Sequence, residues 1–432
     1  MRFSFRLALF LSVAACAPVV AEPPMSVTPP GREPARVPVP PRQGQAVPYT
    51  PADQQAGEVQ VGFEGWKRDF LLRMGGERRA AYERELQGLT PDASVVRLDR
   101  NQPEFSRPAG AYVQNAVTAT RVAQARDRTG RVPWSVVQRS GVPSEILLAI
   151  WGQESAFGAV QGDYDVIRSL ATLAYDGRRR AWAEGELKTA LDIVVEGRRA
   201  RSGLKGSWAG AMGQTQFMPS SYDRLGVDGD GDGRVDIWGS DADALASAAN
   251  LLVVDGQWRR GQSWGYEVLL PSGFDYSLAE GERRPWSFWA QQGVRLAAGG
   301  QPTAEEAGEG AVILLPQGAR GPAFLALPNH YAIRRYNNSV SYALAIGLTA
   351  DAVAGKPPLT AAWPSDAPLS REQRVGAQTA LTRLGYDTQG VDGVIGANTR
   401  AALRRWQVAN GRLADGYLTA ELADELVRLA GR

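Results

Sequence analysis

Residues 141–155 read GVPSEILLAIWGQES, a stretch that predicts a tight turn followed by a buried helix. Ser144 can cap this helix. Ile146, Ile150 and Glu154 then follow at four-residue steps on one helix face, so Glu154 continues an apolar stripe. Because an apolar environment disfavours an ionised carboxylate, Glu154 is a candidate general acid. The alternative is a structural carboxylate at a helix end, paired with an arginine.

The composition excludes several classes of enzyme. The chain of 432 residues is 44% hydrophobic and carries 48 basic and 46 acidic residues, which predicts more than one folded unit and no nucleic-acid partner. It has one histidine, His330, and one cysteine, Cys16, so zinc hydrolases with several imidazole or thiolate ligands are excluded. A serine triad could use only His330, which has no Gly-x-Ser-x-Gly motif nearby. We therefore expect His330 to be structural or surface-exposed.

The N-terminus is predicted to be an export signal over residues 1–21. Two arginines precede an apolar run at residues 7–15, which is too short to span a bilayer. Cys16 ends that run in the sequence VAAC, which resembles the lipobox of bacterial lipoproteins. The resemblance implies a lipid anchor on Cys16 and a periplasmic protein held at the outer membrane. The alternative is an ordinary signal cleaved near Ala21, with Cys16 discarded.

Proline-rich segments divide the rest of the chain. Ten of the 27 prolines fall between residues 22 and 51, and segment 22–59 is predicted to be a disordered tether. Residues 60–354 are predicted to form the main, mostly helical domain. A second proline-rich break over residues 355–368 predicts a linker, and a separate small module follows over residues 369–432.

Four motifs, met in order along the chain, carry a resemblance to a known family. They are residues 141–155 already quoted, SLATLAY at 169–175, GSWAGAMGQTQFMPSSY at 206–222 and YNNS at 336–339. The chain resembles the family B membrane-bound lytic murein transglycosylases over residues 60–350. The resemblance implies a mainly α protein whose catalytic domain is a goose-lysozyme-like α+β fold, with Glu154 as the catalyst.

The same resemblance implies which residues bind the substrate. The matched positions are Ser207, Gln216, Tyr336, Asn337 and Tyr342. Amide and hydroxyl groups can hydrogen-bond sugar N-acetyl and hydroxyl groups, and tyrosine rings offer flat faces to pyranose rings. Arg179 and Arg180 align with a family arginine pair that is expected to meet peptide carboxylates. Ordinary hydrogen bonding or surface charge is the alternative for each position.

The reaction implied by the resemblance cleaves the β-1,4 bond between N-acetylmuramic acid (MurNAc) and N-acetylglucosamine (GlcNAc) in peptidoglycan without water. Glycosidases ordinarily use two carboxylates, whereas the predicted helix offers only Glu154 near its end. Glu154 would act as acid and then as base, and the product would end in 1,6-anhydromuramic acid. No cofactor is implied for catalysis. Three alternatives remain: a hydrolytic muramidase, a noncatalytic wall-binding lipoprotein, and a calcium-dependent adhesin or scaffold.

An acidic loop at residues 228–236 reads DGDGDGRVD and resembles an EF-hand calcium loop. The predicted metal ligands are Asp228, Asp230, Asp232, Asp236 and the backbone carbonyl of Arg234. Gly239 occupies position 12, where such loops carry an acidic ligand, so either Asp241 reaches in or the site is weak. We expect a structural calcium or sodium ion beside the groove. An acidic turn that binds nothing strongly is the alternative.

The terminal module resembles the helical peptidoglycan-binding domain one family, a small three-helix fold. The resemblance rests on LGY at 384–386, VDGVIGANT at 391–399 and RWQ at 405–407. It implies wall-binding residues at Asp392, Gly393, Gly396, Thr399 and Trp406. The Asp-Gly turn at 392 recurs at 415, which predicts two similar turn and helix units. The module would hold the enzyme on its glycan strands, and a small helical domain that binds another protein is the alternative.

Overall fold

The computed structural model describes residues 52–100 and 107–431, and helices dominate it. The helices before residue 355 are α1 (Ala52–Met74), α2 (Arg79–Leu86), α3 (Ala93–Arg100), α4 (Ala109–Ala116), α5 (Ala119–Arg126), α6 (Trp134–Ser140), α7 (Ser144–Ser155), α8 (Val166–Asp176), α9 (Arg180–Val195), α10 (Pro219–Leu225), α11 (Asp241–Val254), α12 (Trp286–Gln291), α13 (Ala304–Gly308), α14 (Pro328–Tyr336) and α15 (Val340–Val353). The helices after it are α16 (Arg371–Arg383), α17 (Ala397–Ala409) and α18 (Ala420–Ala430).

Helix α7, the helix predicted from the opening motif, lies in the middle of the main core. Its N-cap is Pro143 rather than the predicted Ser144, whose hydroxyl bonds the carboxylate of the next residue instead. Ile150 and Trp151 are fully buried, and α7 packs against α5, α11 and α15. Because close packing leaves a buried helix little freedom to shift, these contacts fix the position of Glu154 in its last turn.

Two antiparallel sheets complete the main domain within the described part of the chain. The first pairs β1 (Tyr164–Asp165) with β2 (Lys205–Gly206). The second has the strand order β4-β3-β6-β5 and is built from β3 (Gly265–Leu269), β4 (Arg295–Leu296), β5 (Val312–Leu314) and β6 (Ala323–Ala326).

Neighbouring residues of β6 point to opposite faces of the second sheet, as the pleat requires. Phe324 joins the main helical core, whereas Leu325 joins a second apolar core. That second core also contains Trp286 and Trp289 from α12. The sheet therefore connects two cores, which is the mixed architecture expected of a lysozyme-like α+β domain.

Helices α16, α17 and α18 form the terminal module around their own core. Leu381, Leu403 and Leu426 are fully buried there, together with Trp406. The module has the three-helix form predicted from the sequence.

The predicted linker, residues 355–368, contains neither helix nor strand but lies against the main domain. Trp363 stacks on Phe324 with ring centroids 6.0 Å apart. The backbone N–H groups of Thr360 and Ala361 donate to the carboxylate of Glu267 at 2.9 and 2.8 Å. These contacts give the segment a defined path across the protein.

The predicted tether extends too far toward the C-terminus, because α1 begins at Ala52 and takes up residues 52–59. Residues 52–61 contain no proline, so the helix begins where the proline-rich composition ends. The rest of the tether, the export signal and Cys16 lie outside the described residues. Within the described ranges, no helix combines the length and the apolar character needed to cross a membrane.

Candidate active site

Glu154 and Tyr342 form a buried hydrogen-bonded pair. Glu154 lies in the last turn of α7 and is 1% exposed. The Tyr342 hydroxyl, which projects from the first turn of α15, donates to Oε1 of Glu154 at 2.5 Å. Burial, and then the neighbouring charge of Glu154, raises the pKa of Tyr342 well above its usual value. The tyrosine therefore remains a proton donor to the carboxyl across the physiological range.

Tyr336 extends this pair into a row of aromatic rings. It is the last residue of α14, and its ring stacks on that of Tyr342 with centroids 6.5 Å apart and 12° between the planes. The ring centroid of Phe217 lies 5.9 Å from that of Tyr336, with the two planes tilted by 60°. The Tyr336 hydroxyl donates to the carbonyl of Thr215, which connects α14 to the loop that follows β2.

Gln216 belongs to the same loop and has a strained backbone. Its backbone φ is +51°, a conformation that residues other than glycine seldom adopt. Its Nε2 donates to the carbonyls of Gln161 and Gly213 at 3.0 and 2.8 Å. Its Oε1 is buried and has no hydrogen-bond partner among the described residues. A residue with a strained backbone and an unsatisfied side-chain acceptor is typical of a ligand-binding position.

Gln214 fixes this loop to the catalytic helix and was missed by the sequence reasoning. Its Oε1 accepts the indole N–H of Trp151 at 2.9 Å, and its carbonyl accepts the hydroxyl of Ser155 at 2.5 Å. The two glutamines of the GQTQ motif gave the only signal. The resemblance assigned a role to Gln216 alone, and nothing in the spacing indicates that Gln214 faces α7.

Tyr112 is a second side chain near the site that the sequence did not indicate. It lies on α4, and its hydroxyl accepts a hydrogen bond from Nε2 of Gln153 at 3.2 Å. Gln153 directly precedes Glu154. Helix α4 packs against α15, which brings Tyr112 toward Tyr342. No motif surrounds Tyr112 in the sequence, so only the tertiary packing reveals its position.

Ser207 and Asn337 lie at the edges of the elements that carry the site. The Ser207 hydroxyl accepts the backbone N–H of Ala211 at 3.0 Å. The backbone N–H of Ser207 donates to the carbonyl of Ala211 at 2.8 Å. This turn leaves the hydroxyl proton available to a ligand. Asn337 is half-buried and follows Tyr336 at the C-terminus of α14.

The two arginines predicted to bind peptide carboxylates, Arg179 and Arg180, have different surroundings. Nη2 of Arg179 bonds the carboxylate of Asp99 at 2.7 Å, and its guanidinium lies 4.3 Å from the ring centroid of Trp182. Asp99 is also bonded by Arg178 at 2.6 Å. Arg180 begins α9 and is exposed. Arg179 thus contributes to a structural ion pair, whereas Arg180 presents its charge at the surface.

The acidic loop brings three of the predicted metal ligands together. Carboxylate oxygens of Asp228, Asp230 and Asp232 lie within 4.8 Å of one another. The Asp228 carboxylate accepts the N–H of Gly233 at 2.8 Å, and backbone bonds of this kind hold its pKa below the usual value. Arg234 follows in the exposed part of the loop.

The other predicted acidic ligands turn away from this cluster. Oδ1 of Asp236 accepts the N–H groups of Trp238 and Gly239 and is 3.2 Å from Nη1 of Arg199. Asp241 does not reach into the loop, since its carboxylate bonds Gln214 and Arg131.

Asp243 holds the loop from inside. Its Oδ1 accepts the N–H of Gly229 at 2.8 Å, and its Oδ2 accepts the N–H of Asp236 at 2.6 Å. It is 1% exposed and lies in the first turn of α11. The sequence offered Asp241 as the acidic residue that could reach into the loop, whereas the structure shows Asp243 bonded to backbone N–H groups of the loop.

The predicted wall-binding residues occupy different depths in the terminal module. Asp392 is exposed, whereas Gly393 is buried with φ +79°. Gly396 is the N-cap of α17. Thr399 and Trp406 are each 2% exposed, so both contribute to the inside of the module rather than to its surface.

A buried carboxyl that a tyrosine holds at the end of a central helix, in a mainly helical domain with a small sheet, is the arrangement expected of a lysozyme-like enzyme that cleaves glycans. Residues 62–351 match the sequence model of the transglycosylase SLT domain, and residues 370–426 match that of a putative peptidoglycan binding domain. The first match covers more than half of the chain. The chain therefore belongs to the SLT-domain lytic transglycosylase family.

Individual relatives agree with that assignment. The chain is 32% identical over 347 residues to membrane-bound lytic murein transglycosylase B of Escherichia coli, covering 71% of this chain and 92% of that protein. Its fold is similar to SltB3 of Pseudomonas aeruginosa in complex with NAG-anhNAM-pentapeptide, with 47% identity, a TM-score of 0.78, and coverage of 84% of this chain and 99% of that chain.

A more distant likeness is to the lytic transglycosylase Slt35 of Escherichia coli in complex with calcium. The identity is 28%, the TM-score is 0.58, and the likeness covers 70% of this chain and 98% of that chain. Together, the comparisons confirm the fold class, the family and the lytic transglycosylase activity predicted from the sequence.

Proposed function

We propose that this lytic transglycosylase cleaves the MurNAc–GlcNAc bond of peptidoglycan with Glu154 as both acid and base. The observation that carries the proposal is the buried carboxyl of Glu154 in the last turn of α7. The hydroxyl of Tyr342 orients this carboxyl. The similar Pseudomonas aeruginosa enzyme was solved with a ligand containing the anhydro form of the muramic sugar. That sugar is the end expected from cleavage without water.

The reaction begins with Glu154 in its neutral form, which burial favours. Glu154 gives its proton to the glycosidic oxygen as the bond from that oxygen to C1 of MurNAc breaks, and the GlcNAc-containing strand leaves as an alcohol. The carbonyl oxygen of the MurNAc N-acetyl group stabilises the positive C1. Glu154, now a carboxylate, removes the proton of the C6 hydroxyl while O6 bonds to C1. The 1,6-anhydro ring closes, no water is consumed, and Glu154 regains its starting form.

Tyr342 acts as a positioning residue in this sequence of steps. Its O–H donates to the Glu154 carboxyl at 2.5 Å and stabilises the carboxylate formed after the first proton transfer. Since burial keeps the pKa of Tyr342 well above its usual value, the tyrosine does not compete as the acid.

The sugar chain is held by the groups beside this pair. The unsatisfied Oε1 of Gln216 can accept the N–H of an N-acetyl group, and the Ser207 hydroxyl can donate to a sugar oxygen. Tyr336 offers a ring and Asn337 an amide at the end of α14. The exposed guanidinium of Arg180 is available to a peptide carboxylate.

We also propose that the acidic loop binds a calcium or sodium ion. Hard cations take oxygen ligands, and the carboxylates of Asp228, Asp230 and Asp232 already lie together. The similar Slt35 enzyme of Escherichia coli was solved with calcium. When bound, the ion would neutralise the clustered negative charge. The loop precedes α11, which packs against α7, so the ion would brace the main domain without touching the reacting sugar.

We propose that the enzyme works in the periplasm, held to the outer membrane through lipidated Cys16. The VAAC sequence before the proline-rich tether supports this proposal, as does the membrane-bound relative in Escherichia coli. The test is the mass of the mature N-terminus after expression in a Gram-negative host. A diacylated Cys16 is expected, and the variant Cys16→Ser should be released as a soluble protein. An unmodified N-terminus near residue 22 would contradict the anchor.

The catalytic proposal is tested by mass spectrometry of sacculi digested with a form of the protein that begins at Ala52. Muropeptides ending in 1,6-anhydromuramic acid are expected from the unchanged enzyme and should be absent with Glu154→Gln. Glu186→Gln is the matched control, since Glu186 is also buried but bonds Ser220. Reducing ends bearing added water would identify a muramidase. Pelleting with sacculi and no release by the unchanged enzyme would indicate wall binding without catalysis.

A further inference from the structure

The first turn of the terminal module, residues 391–394, is held from inside by a glutamine of α16. Nε2 of Gln378 donates to Oδ1 of Asp392 at 3.0 Å, and Oε1 of Gln378 accepts the N–H of Gly393 at 2.7 Å. The same Oδ1 accepts the N–H of Val394 at 2.8 Å. The positive φ of Gly393, +79°, favours glycine.

The second turn, residues 414–417, is held in the same way by a glutamine of α17. Nε2 of Gln407 donates to Oδ1 of Asp415 at 3.0 Å, and Oε1 of Gln407 accepts the N–H of Gly416 at 2.8 Å. The Asp415 Oδ1 also accepts the N–H of Tyr417 at 3.0 Å, and Gly416 has φ +67°. The three hydrogen bonds repeat those of the first turn, so the two turns are structural copies.

The surroundings of the copies differ, because the main domain covers the second turn. The outer oxygen of Asp415, Oδ2, accepts the backbone N–H of Ala319 at 3.0 Å. The Tyr417 hydroxyl donates to Asp366 in the predicted linker at 2.9 Å. Gly318 packs so closely that a Cβ added there would lie 2.4 Å from Oδ2 of Asp415.

Buried charges strengthen this docking next to the second turn. Glu280 of the main domain pairs with Arg400 at 2.6 Å and with Arg404 at 3.0 Å, both from α17. Arg400 also donates to the carbonyl of Leu315 at 2.7 Å. Burial alone would raise the pKa of Glu280, but the two guanidinium groups hold it below its usual value. These ion pairs and the Arg400 hydrogen bond join α17 to the main domain beside the second turn.

The first turn is open to solvent. Val391 is 46% exposed and Val394 is 36% exposed, with the Asp392 carboxylate between them. The outer oxygen of Asp392 corresponds to the atom of Asp415 that accepts a backbone amide N–H. It therefore presents an acceptor suited to an amide, flanked by apolar side chains that can cover the rest of a ligand.

We propose that the two turns have separate roles: the second turn fastens the terminal module to the main domain, and the first turn binds the amide groups of peptidoglycan. This inference rests on the wall-binding role proposed for the module, which the match to a putative peptidoglycan binding domain supports. The shared ligand chemistry is an amide N–H, which peptidoglycan supplies both in the N-acetyl groups of its sugars and in its stem peptides.

The test compares the same substitution in both turns of the full chain, with Glu154→Gln present so that the polymer is not consumed. Asp392→Asn should weaken binding to sacculi by about tenfold, as expected for loss of a hydrogen bond to a charged group. Asp415→Asn should leave the dissociation constant within about twofold, yet increase hydrogen exchange at the Ala319 amide by about tenfold. Asp424→Asn, an exposed carboxylate on α18, controls for the change in surface charge.

Val391→Ser is the second variant for the first turn, because it removes exposed apolar surface without touching the bonds to Gln378. It should also weaken binding, and Val427→Ser, with similar exposure on α18, should not. Repeating the binding with glycan strands stripped of stem peptides separates the two ligand sources. If Asp392→Asn still weakens binding to the stripped strands, the ligand of the first turn is the N-acetyl amide. If the substitution no longer changes binding to them, the ligand is an amide of the stem peptide.

The proposal would be overturned if Asp392→Asn bound sacculi as tightly as the protein with both turns intact. It would also be overturned if Asp415→Asn weakened binding as much as Asp392→Asn does. If the chain with both turns intact does not pellet with sacculi, the proposed wall-binding function fails instead. The two failures are therefore distinguishable.

Discussion

The hydroxyl of Tyr342 lies 2.5 Å from Oε1 of Glu154, although 188 positions of sequence separate the two residues. The bond joins the first turn of α15 to the last turn of α7, and these two helices pack against each other. The orientation of the proposed acid thus depends on how two helices meet, and not on α7 alone.

Replacing Tyr342 with phenylalanine should lower kcat on sacculi by about 10- to 100-fold, because the carboxylate formed in the first step loses its hydrogen-bond donor. Since the pKa of Tyr342 is well above its usual value, the loss should be of similar size at pH 5 and pH 8. Release of anhydromuropeptides at saturating substrate measures the effect. Tyr175→Phe, a half-buried tyrosine that packs on Phe63, is the control. An unchanged kcat in Tyr342→Phe would remove the positioning role.

His330 should make the protein less stable in acid. Burial, and then the charge of Arg334, lowers its pKa to about 3, whereas an unfolded chain binds the proton below about 6.5. Between these values the unfolded state holds more protons, so the free energy of unfolding falls as the pH falls. The histidine should account for a loss of about 2 kcal/mol between pH 7 and pH 4.5.

His330→Phe tests this prediction through urea unfolding at both pH values. Neither ring nitrogen of His330 has a hydrogen-bond partner among the described residues, so an apolar ring should fit without breaking a bond. The variant should lose about 2 kcal/mol less than the natural chain on acidification. Parallel curves for the two proteins would show that the imidazole is not protonated on unfolding in this range.

Gly162→Ala should destabilise the protein by more than about 2 kcal/mol and reduce activity. Gly162 has φ +91°, and a Cβ there would lie 2.2 Å from the carbonyl oxygen of Gly206, beside Ser207. Backbone atoms cannot rotate aside, so the loop that carries Ser207 must shift. Gly185→Ala is the matched control because no atom lies within 4 Å of its added Cβ, and it should stabilise α9 by about 1 kcal/mol. Melting temperatures check both, and a stable Gly162→Ala would contradict the geometry.

Calcium should raise the melting temperature by about 5 °C at 100 times its dissociation constant, as expected for an ion that binds only the folded state. Asp230→Asn should abolish this shift. Asp236→Asn should preserve it, since the Asp236 carboxylate faces Arg199 and two backbone N–H groups. Sodium at the same ionic strength is the comparison. Equal loss of the shift in both variants would return Asp236 to the ligand set.

The parts of the site that lie within one helix could be predicted from the sequence. Four-residue spacing placed Glu154 on the buried face of α7, because the helix period alone decides that position. The resemblance named Tyr342 only as a substrate-binding position. Its contact with Glu154 could not be predicted, since no local pattern says how α15 meets α7. The ion pairs of Arg178 and Arg179 with Asp99 could not be predicted either, because they depend on α3 packing against α8.

The acidic loop shows the same limit at shorter range. Spacing alone placed Asp228, Asp230 and Asp232 together, since a tight glycine-rich loop brings alternate residues to one side. It also included Asp236, which the structure turns toward Arg199. A cation from another segment redirects that side chain, and sequence spacing carries no information on such a partner.

The path of residues 355–368 has a consequence for any exchange of the terminal module between proteins. Trp363 stacks on Phe324, and Asp366 receives bonds from both Arg320 and Tyr417. A foreign wall-binding unit inserted after this segment would lack Tyr417 and would leave Glu280 without Arg400. A chimaera with a different module would therefore need the matching surface of the main domain transplanted with that module.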